Sequence, residues 1–198
     1  MLLYFVRHGQ TNDNLLSPNR NLASYAPLNK TGKIQAKKAA SFLAAQVPKP
    51  NFIASSHWER AHQTAQIIAK ELEIDIKVDN ELGEVEYGDW SKKTIIEALE
   101  VWKPLTKDEI VDFRLSPSVE SWRDMAERMT RAVKELQKDQ AGPMVLVSHG
   151  APIRFAIANL LDTNSQTWHT IHSHYDNGSV SCLEYKNNKW HALFLNKT

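Results

Sequence analysis

Two histidines in this sequence each follow a short apolar run. His8 comes after the run at 2–6, and His149 comes after the run at 144–147. An uninterrupted apolar run of this length is typical of a strand that is buried on both faces of a sheet. Because ligands of open α/β sheets bind at the carboxyl ends of the parallel strands, we expect both imidazoles to lie at the same edge. An imidazole at that edge can act as a nucleophile.

Two arginines are predicted at the same edge of the sheet. Arg7 ends the first apolar run, and Arg60 lies near the start of a helix that follows a third strand pattern at 52–56. A dianionic phosphate offers several acceptor oxygens, which guanidinium groups bind in a planar fork. Gly9 and Gly150 allow the backbone to approach a ligand closely, and the helix expected after the second histidine presents free N–H groups to an anion. The combination indicates a phosphate receptor.

The positive charge of this cluster favours neutral imidazole over imidazolium. We therefore expect the pKa of each histidine to lie below about 6.5, which leaves a nitrogen lone pair free near neutral pH. Neutral His8 is then a competent nucleophile toward phosphorus. Taken alone, His149 could be a hydrogen-bonded core residue, and Arg60 could form a surface ion pair with Glu59 or Glu71. The order and placement of the residues together favour the phosphate site.

The elements that position these residues alternate between strand and helix patterns. This alternation predicts a three-layer α/β/α sandwich with a mainly parallel central sheet. We predict helix 31–46 to begin with Thr31 as its N-cap. The predicted strands are 2–6, 52–56, 74–78 and 144–147, with a terminal hairpin at 180–185 and 190–195, and the predicted helices are 31–46, 58–73, 120–138 and 151–161.

The segment 91–119 carries a weaker pattern than the rest of the chain. A helix is expected at 94–101, but Pro104 and Pro117 interrupt the periodicity. We interpret 91–119 as a helical insertion, or lid, above the active edge of the sheet, and we expect substrate specificity to lie there. No repeat or linker divides the sequence, which predicts a single domain over 1–198.

Composition limits the classes of partner. The 198 residues are 42% hydrophobic and 24% charged, as in an ordinary globular protein, and 24 Lys and Arg against 23 Asp and Glu give a net charge of +1. No global field therefore favours nucleic acid or a membrane surface as a partner. The only cysteine, Cys182, excludes an internal disulfide. The N-terminal apolar run is too short for a signal peptide or a membrane span, so we expect a cytoplasmic protein.

Five stretches match the motifs of a known family. The first fits the pattern Arg-His-Gly-x-Thr-x-x-Asn, and the third is similar to Ser-x-Leu-x-Arg-Ala-x-Gln-Thr-Ala, with Trp58 in place of the leucine. With these motifs the chain resembles the histidine phosphatase superfamily, also called the phosphoglycerate mutase-like family, over nearly its whole length. The stretches are RHGQTNDN at 7–14, LNKTGKIQA at 28–36, SSHWERAHQTA at 55–65, LVSHG at 146–150 and NGSV at 177–180.

The resemblance implies a role for each residue of the cluster. His8 would attack phosphorus and become phosphohistidine, while the remaining catalytic residues would hold the phosphoryl oxygens and stabilise the charge of the transition state. Those remaining residues are Arg7, Arg60 and His149, and the expected substrate ligands are Gly9, Gln10, Thr11, Asn14 and the backbone N–H of Gly150.

The resemblance also implies a general acid. The family takes the proton for the departing alcohol from a Leu-x-Glu segment, which matches Leu82-Gly83-Glu84 and selects Glu84. Glu81 and Glu86 are near enough in sequence to remain alternatives. The stretch YGDWSK at 87–92 departs from the family pattern Phe-Gly-x-Trp-Glu-Gly. Ser91 and Lys92 replace the usual Glu-Gly pair, and Lys92 and Lys93 would either add positive charge near the distal end of the substrate or belong to a solvated surface.

The function implied is that of a phosphomonoesterase of the histidine acid phosphatase type, a hydrolase acting on a small phosphorylated metabolite without cofactor or metal. An alternative is a phosphoglycerate mutase, although the mutases of the family are longer and usually carry Glu-Ser where this chain has Gln10-Thr11. A silent phospholigand-binding protein is a third reading, but such relatives usually lose one of the four cluster residues. His169, His172 and His174 lack a companion ligand cluster for a metal. A monomer and a homodimer are both compatible with the sequence.

Overall fold

A six-stranded sheet forms the centre of the computed structural model, which describes residues 1–16, 18–138, 140–161 and 174–198. The strand order is β3-β2-β4-β1-β5-β6. The first four strands in this order are mutually parallel, and the last two form an antiparallel extension at one side. The predicted, mainly parallel sheet is confirmed. Its strands are β1 (Leu2–Arg7), β2 (Phe52–Ser55), β3 (Ile76–Val78), β4 (Met144–Ser148), β5 (Val180–Lys186) and β6 (Lys189–Lys197).

Helices cover both faces of this sheet. In β1, Tyr4 and Val6 pack against α2 and α3 on one face, while Leu3 and Phe5 pack against α6 and α7 on the other. This alternation confirms the three-layer architecture. The helices of the described residues are α1 (Asn12–Leu15), α2 (Lys30–Ala44), α3 (Glu59–Leu72), α4 (Ile95–Trp102), α5 (Lys107–Asp112), α6 (Trp122–Lys138) and α7 (Gly150–Leu160).

The parallel pairing of β1 with β4 brings the two histidine segments together. Arg7 is aligned with Ser148 at the end of the ladder, and the backbone N–H of His8 donates to the carbonyl of Ser148 at 3.0 Å. The residues that follow the two strands are His8 and His149, so both lie at the carboxyl edge of the sheet. The placement predicted from the two apolar runs is therefore confirmed.

Side-chain caps place some helix starts differently from the sequence prediction. The side chain of Asn29 accepts a hydrogen bond from the N–H of Gly32, so Asn29 caps α2 and the prediction of Thr31 as the cap is wrong. In α6 the Ser121 hydroxyl accepts from the N–H of Asp124, which starts the helix two residues later than predicted. In both cases a polar side chain, rather than apolar periodicity, determines the first turn.

The segment between β3 and α6 folds over one end of the sheet. It contains two short 3-10 turns, Asn80–Leu82 and Gly88–Trp90, followed by α4 and α5. Thr94 and Thr106 each start one of these helices through a capping box. The helix expected at 94–101 is confirmed as α4. A separate apolar cluster beneath this segment joins it to α6 and α7 through Val85, Val111, Val119, Met125, Ala126, Phe155 and Ala158.

Two glycines press the first turn of α2 against the loop after β1. A Cβ at Gly9 would lie 2.3 Å from the carbonyl oxygen of Gly32, and a Cβ at Gly32 would lie 2.1 Å from the carbonyl oxygen of Gln10. Side chains cannot be accommodated at such distances. The close approach at Gly9 is thus between two parts of the backbone.

None of the helices in the described parts of the chain combines the length and apolar character needed to cross a membrane.

Candidate active site

Four side chains meet at the carboxyl edge of the sheet. The Nε of Arg60 lies 3.1 Å from the Nε2 of His8, and the ring centroids of His8 and His149 are 5.2 Å apart. Arg7 packs against Gly150, where a Cβ would lie 3.3 Å from the Arg7 Nε. His8, Arg60 and His149 are almost completely buried. The predicted convergence of two histidines and two arginines is confirmed, and we refer to these four residues as the cationic cup.

The hydrogen bonds of His8 define its tautomer. Its Nδ1 lies 2.8 Å from the carbonyl oxygen of Gly9, which can only accept, so Nδ1 carries the proton. The N–H of Arg60 donates to Nε2, which requires a lone pair on that atom. The same loop is fixed by the N–H of Gly9, which donates to the Thr64 hydroxyl at 3.1 Å. His8 is therefore held as a neutral imidazole with a lone pair on Nε2.

Burial and positive charge both keep the two imidazoles neutral. Burial is the largest cause that lowers the pKa of His8 well below its ordinary value, followed by the charges of Arg60 and Arg7. The pKa of His149 is lowered well below its ordinary value by burial and then by Arg60. The predicted direction of the shift is confirmed, although desolvation contributes more than the guanidinium groups named in the sequence analysis.

Two buried donors of the cup are available to a ligand. The Nε2 of His149 lies 2.9 Å from the Ser56 hydroxyl, which also accepts from the N–H of Trp58 at 3.2 Å. A consistent assignment has Ser56 donating to Nε2, which leaves the proton of His149 on Nδ1. That Nδ1 and the Nε of Arg7 are buried and have no hydrogen-bond partner among the described residues. Since buried polar atoms are usually paired, both are suited to oxygens of a bound anion.

A cavity of about 390 Å³ lies next to the cup. Arg7, Asn14, Glu84 and Gly150 line it. The Oδ1 of Asn14 accepts a hydrogen bond from the backbone N–H of Thr11 at 2.9 Å. The side-chain amide nitrogen of Asn14 therefore points away from that N–H. Four of the residues predicted for the site are thus present in the wall of one cavity.

Two predicted ligands have other partners. The side chain of Gln10 accepts a hydrogen bond from the amide of Asn29 at 3.0 Å, and the hydroxyl of Thr11 caps α1. Neither residue lines the cavity. In this structure both side chains therefore contribute to the shape of the loop after β1.

The segment 177–179, which directly precedes β5, lies against one side of the cup. The amide of Asn177 donates to the carbonyl of His8 at 3.1 Å and to Asn14 at 3.2 Å. The N–H of Gly178 donates to the carbonyls of Arg7 and His8, each at 3.1 Å. Gly178 has a φ of 76°, which favours glycine. The backbone of the first histidine is therefore fixed by residues near the end of the sequence.

Glu84 is the carboxylate of its segment that faces the cavity. Glu81 and Glu86 are exposed, and neither lines the cavity. An Oε of Glu84 accepts from the N–H of Val85 at 3.1 Å, and the side chain is half-buried. The structure thus distinguishes Glu84 by position from the two alternatives that the sequence left open.

Arg128 holds the Glu84 segment, a role that sequence reasoning did not detect. Its Nη1 donates to the carbonyls of Glu81 at 2.5 Å and Gly83 at 3.2 Å, while its other nitrogens pair with Glu120 at 2.6 and 3.0 Å. The hydroxyl of Ser148 donates to the Leu82 carbonyl at 2.7 Å. The segment before Glu84 is therefore tied to both α6 and β4.

Trp58 forms an aromatic wall of the cup. The guanidinium carbon of Arg60 lies 4.6 Å from the ring centroid of Trp58, and the His149 ring meets Trp58 edge-on at 5.7 Å. Tyr25 stacks on Trp58 at 5.0 Å. A leucine, the usual family residue here, has no ring for the cation–π contact.

The cavity contains two further arginines that sequence reasoning missed, Arg20 and Arg154. Arg154 has a signal in the sequence, because it lies four residues after Gly150 and so on the same face of α7. Arg20 lies in a loop and has no such signal.

Lys92 and Lys93 are exposed and do not line the cavity, and Lys93 pairs with Glu97 at 2.9 Å.

The three histidines considered for a metal site, His169, His172 and His174, lie at the end of a segment that is only partly described. His169 and His172 lie outside the described residues, and His174 lines the cavity. Within the ranges that the structure describes, no group of three or more His, Cys, Asp or Glu residues is placed to hold a metal ion.

Comparison with known proteins relates the whole chain to one family. Residues 3–198 match the family described as the histidine phosphatase superfamily (branch 1). The bifunctional protein Rv2228c of Mycobacterium tuberculosis is 32% identical over 187 residues, which cover 92% of this chain and 50% of that protein. The chain thus spans about half the length of such relatives. The probable phosphoglycerate mutase GpmB of Citrobacter koseri is 30% identical over 196 residues, covering 96% of this chain and 87% of that protein.

A solved structure shows the same fold. The mycobacterial glucosyl-3-phosphoglycerate phosphatase Rv2419c, determined with VO3, is 28% identical to this chain. The alignment covers 100% of this chain and 99% of that one, with a TM-score of 0.85.

Because the two buried imidazoles are neutral, we predict that the free energy of unfolding decreases as the pH is lowered. In the unfolded chain each histidine has a pKa near about 6.5, whereas the folded-state pKa of His8 and His149 is lower. The unfolded state therefore binds more protons below about pH 6.5, and stability that is present above this pH is lost as the pH falls. Each histidine contributes up to about 1.4 kcal/mol per pH unit to this loss.

Urea unfolding at about pH 7.5 and about pH 5.5 checks this expectation. We expect His149→Asn to lose less stability than the wild type between the two pH values, whatever its absolute stability. His191→Asn, which changes an exposed histidine, should show the wild-type loss. Identical losses in His149→Asn and the wild type would contradict the assignment.

Proposed function

The chain belongs to the histidine phosphatase superfamily (branch 1), and we propose that it hydrolyses the phosphomonoester of a small metabolite through a phosphohistidine on His8. One observation carries this proposal. The Nδ1 proton of His8 is held by the Gly9 carbonyl, so that Nε2 presents a lone pair beside Arg60. A neutral nucleophile next to positive charge is what attack on an anionic phosphoryl group requires.

In the first half of the proposed reaction, His8 Nε2 attacks phosphorus and the ester P–O bond breaks. The phosphoryl group would enter between Nε2 and Arg60, whose N–H then donates to a phosphoryl oxygen instead of to the imidazole. Arg7 Nε and His149 Nδ1 are buried donors that can take further oxygens. These fixed donors stabilise the charge that spreads over the oxygens in the transition state.

Glu84 supplies the proton for the leaving alcohol in this proposal. The protonated carboxyl group transfers its proton to the ester oxygen as the P–O bond breaks, and becomes a carboxylate. In the second half, the carboxylate takes a proton from water, the water oxygen attacks the phosphohistidine, and the P–N bond breaks. Inorganic phosphate leaves, and both His8 and Glu84 return to their initial states.

The two arginines make a metal ion unnecessary in this scheme. They supply the positive charge that a divalent cation provides in other phosphoryl-transfer sites. We therefore propose that a phosphorylated small molecule is the sole partner the reaction needs, apart from water.

Mutase activity is the second candidate function. It is supported by the relative named as a probable phosphoglycerate mutase. A mutase must keep water from the phosphohistidine until the phosphoryl group is transferred again, and this chain has Gln10-Thr11 where the mutases of the family usually carry Glu-Ser. The solved structure named as a phosphatase shares the fold over its whole length. Hydrolysis is therefore the better supported proposal.

The first experiment removes the nucleophile. We expect His8→Ala to hydrolyse p-nitrophenyl phosphate at less than about one thousandth of the wild-type rate, because no phosphohistidine can form. Acid quenching during turnover of a radiolabelled phosphomonoester should trap an acid-labile label on the wild type and none on the variant. His191→Ala, at an exposed histidine of β6, should keep the wild-type rate. Turnover retained by His8→Ala would disprove the mechanism.

The second experiment assigns the general acid through the leaving group. We expect Glu84→Gln to slow the hydrolysis of alkyl phosphates by about 100-fold or more, because alkoxides need a proton to leave. Its effect on p-nitrophenyl phosphate should be at least about tenfold smaller, since nitrophenolate leaves without one. Glu86→Gln, in the same segment, should change neither rate. Equal losses for Glu84→Gln on both substrates would assign the acid to another residue.

The third experiment tests Arg128 as a positioning residue. Because Arg128 holds the carbonyls of Glu81 and Gly83, we expect Arg128→Met to slow alkyl phosphates about tenfold more than aryl phosphates. Arg131→Met is the matched control, since Arg131 lies on the same helix, is exposed and faces only the Glu81 carboxylate at 3.6 Å.

A double variant separates positioning from folding in this test. Arg128→Met removes the ion-pair partner of the partly buried Glu120, which lowers stability. Arg128→Met with Glu120→Gln removes that charge, so its stability should recover while the leaving-group effect remains. If the double variant recovered both its stability and the wild-type ratio of alkyl to aryl phosphate hydrolysis, Arg128 would have a purely structural role.

A further inference from the structure

An apolar cavity of about 200 Å³ lies beneath the segment 91–119. We refer to it as the apolar annex. It adjoins the cavity of about 390 Å³ beside the cationic cup, which we call the phosphate cavity. The wall of the annex is formed by side chains of the insertion, of α6 and of α7. Its aromatic and large aliphatic members include Ile95, Trp102, Phe113, Leu115, Trp122 and Phe155, and the charged residues Arg20, Glu120 and Arg154 also line it.

The annex and the phosphate cavity share part of their walls. Arg20, Tyr87, Ala151 and Arg154 line both spaces. A molecule whose phosphate lies in the cationic cup and whose organic part reaches past these side chains would enter the annex. No step of the proposed hydrolysis uses this space.

The size of the annex distinguishes it from a packing defect. Protein interiors contain few voids larger than a water molecule. About 200 Å³ equals the volume of six or seven molecules of liquid water at about 30 Å³ each. Most of this wall is aromatic or aliphatic and offers water few polar partners, since Glu120 is already paired with Arg128 at 2.6 Å, whereas an apolar group would gain contacts with it.

Taking the proposed function as the premise, we propose that the apolar annex binds the organic group of the substrate and selects phosphomonoesters that carry an alkyl or aryl group. The phosphate is held by the cationic cup, and the adjoining carbon chain or ring is held by the annex. The substrate class is thus an amphipathic phosphomonoester rather than a compact, polyanionic phosphate.

The two arginines at the boundary are compatible with this class. A guanidinium on an alkyl stem can contact an apolar group with the stem while its charged end faces the phosphate. The Nη1 of Arg20 is already bound to the carbonyls of Asn21 at 2.9 Å and Leu22 at 3.1 Å. The Arg154 guanidinium carbon lies 5.2 Å from the Phe155 ring centroid. A carboxylate placed in the annex itself would lose its hydration among these apolar groups.

A series of n-alkyl phosphates tests the proposal, because ethyl, butyl, hexyl and octyl phosphate share one type of leaving group. We expect kcat/KM to rise about two- to fourfold for each added methylene until the annex is filled. A series that is flat from ethyl to octyl, or a preference for 3-phosphoglycerate over hexyl phosphate, would overturn the proposal.

Binding of n-alkylphosphonates separates the annex from the reaction. Phosphonates are not hydrolysed, so calorimetric titration of the wild type with ethyl- to octylphosphonate reports binding even in a protein without phosphatase activity. Affinity that rises with chain length supports the annex whether or not phosphates are hydrolysed. Absence of alkyl and aryl phosphate hydrolysis together with rising phosphonate affinity would reject the proposed function and retain the annex, and equal phosphonate affinities would reject the annex.

Matched variants locate the effect. Leu115→Gln places a polar group in the annex wall, and Leu99→Gln makes the same change on the outer side of α4, where Leu99 is 49% exposed. We expect the octyl-to-ethyl ratio of kcat/KM to fall at least fivefold in Leu115→Gln and to stay unchanged in Leu99→Gln. Ile95→Asn, at a second point of the wall, provides the same test if Leu115→Gln does not fold. An equal change in Leu115→Gln and Leu99→Gln would place the specificity elsewhere.

Discussion

The burial of two guanidinium groups beside two imidazoles is the constraint on which the site depends. Within the described residues, neither Arg7 nor Arg60 forms an ion pair with a carboxylate, and backbone carbonyls of Tyr175 and Ser24 hold them instead. Burying charge is costly: burial lowers the pKa of Arg60 to about 10, while the charge of Glu84 acts in the opposite direction. The imidazoles must then remain neutral, because a third positive charge would increase that cost. In the proposed function, the same positive field keeps His8 neutral for attack on phosphorus and favours a phosphate dianion as the ligand of the cup.

The segment 84–87 connects the chemistry with the recognition of the organic group. Glu84 faces the phosphate cavity, Val85 faces the apolar annex, and Tyr87 lies between the two spaces. Arg128 fixes the residues just before this segment, while the insertion packs over the residues after it. A change in the insertion can therefore alter both the substrate that fits and the position of the proton donor. In the proposed scheme, specificity and leaving-group chemistry are mechanically linked.

Local patterns in the sequence predicted the layers of the fold and the meeting of His8 with His149, because apolar runs determine which strands lie at the centre of a sheet. They failed where a side chain competes for backbone groups, as when Asn29 rather than Thr31 caps α2. They also could not assign the side chains of Gln10 and Thr11, whose partners follow from turn geometry. Arg20 and the annex were missed for a different reason. The annex wall combines residues of several segments that lie between Arg20 and Phe155 in the sequence. The apolar periodicity of a single segment does not indicate which distant segments it will contact.

The position of β1 in the sheet has a consequence for the synthesis of the protein. β1 is synthesised before its two neighbours in the sheet, β4 and β5, which begin at Met144 and Val180. Its apolar residues therefore lack their final partners until those two strands have been translated, at about 5–20 residues per second. During that interval the exposed strand is a target for chaperones and a risk for aggregation. The backbone of His8 also gains its contacts only after Asn177 and Gly178 have been made, so in the proposed scheme a nascent chain that lacks them cannot yet hold the attacking imidazole in place.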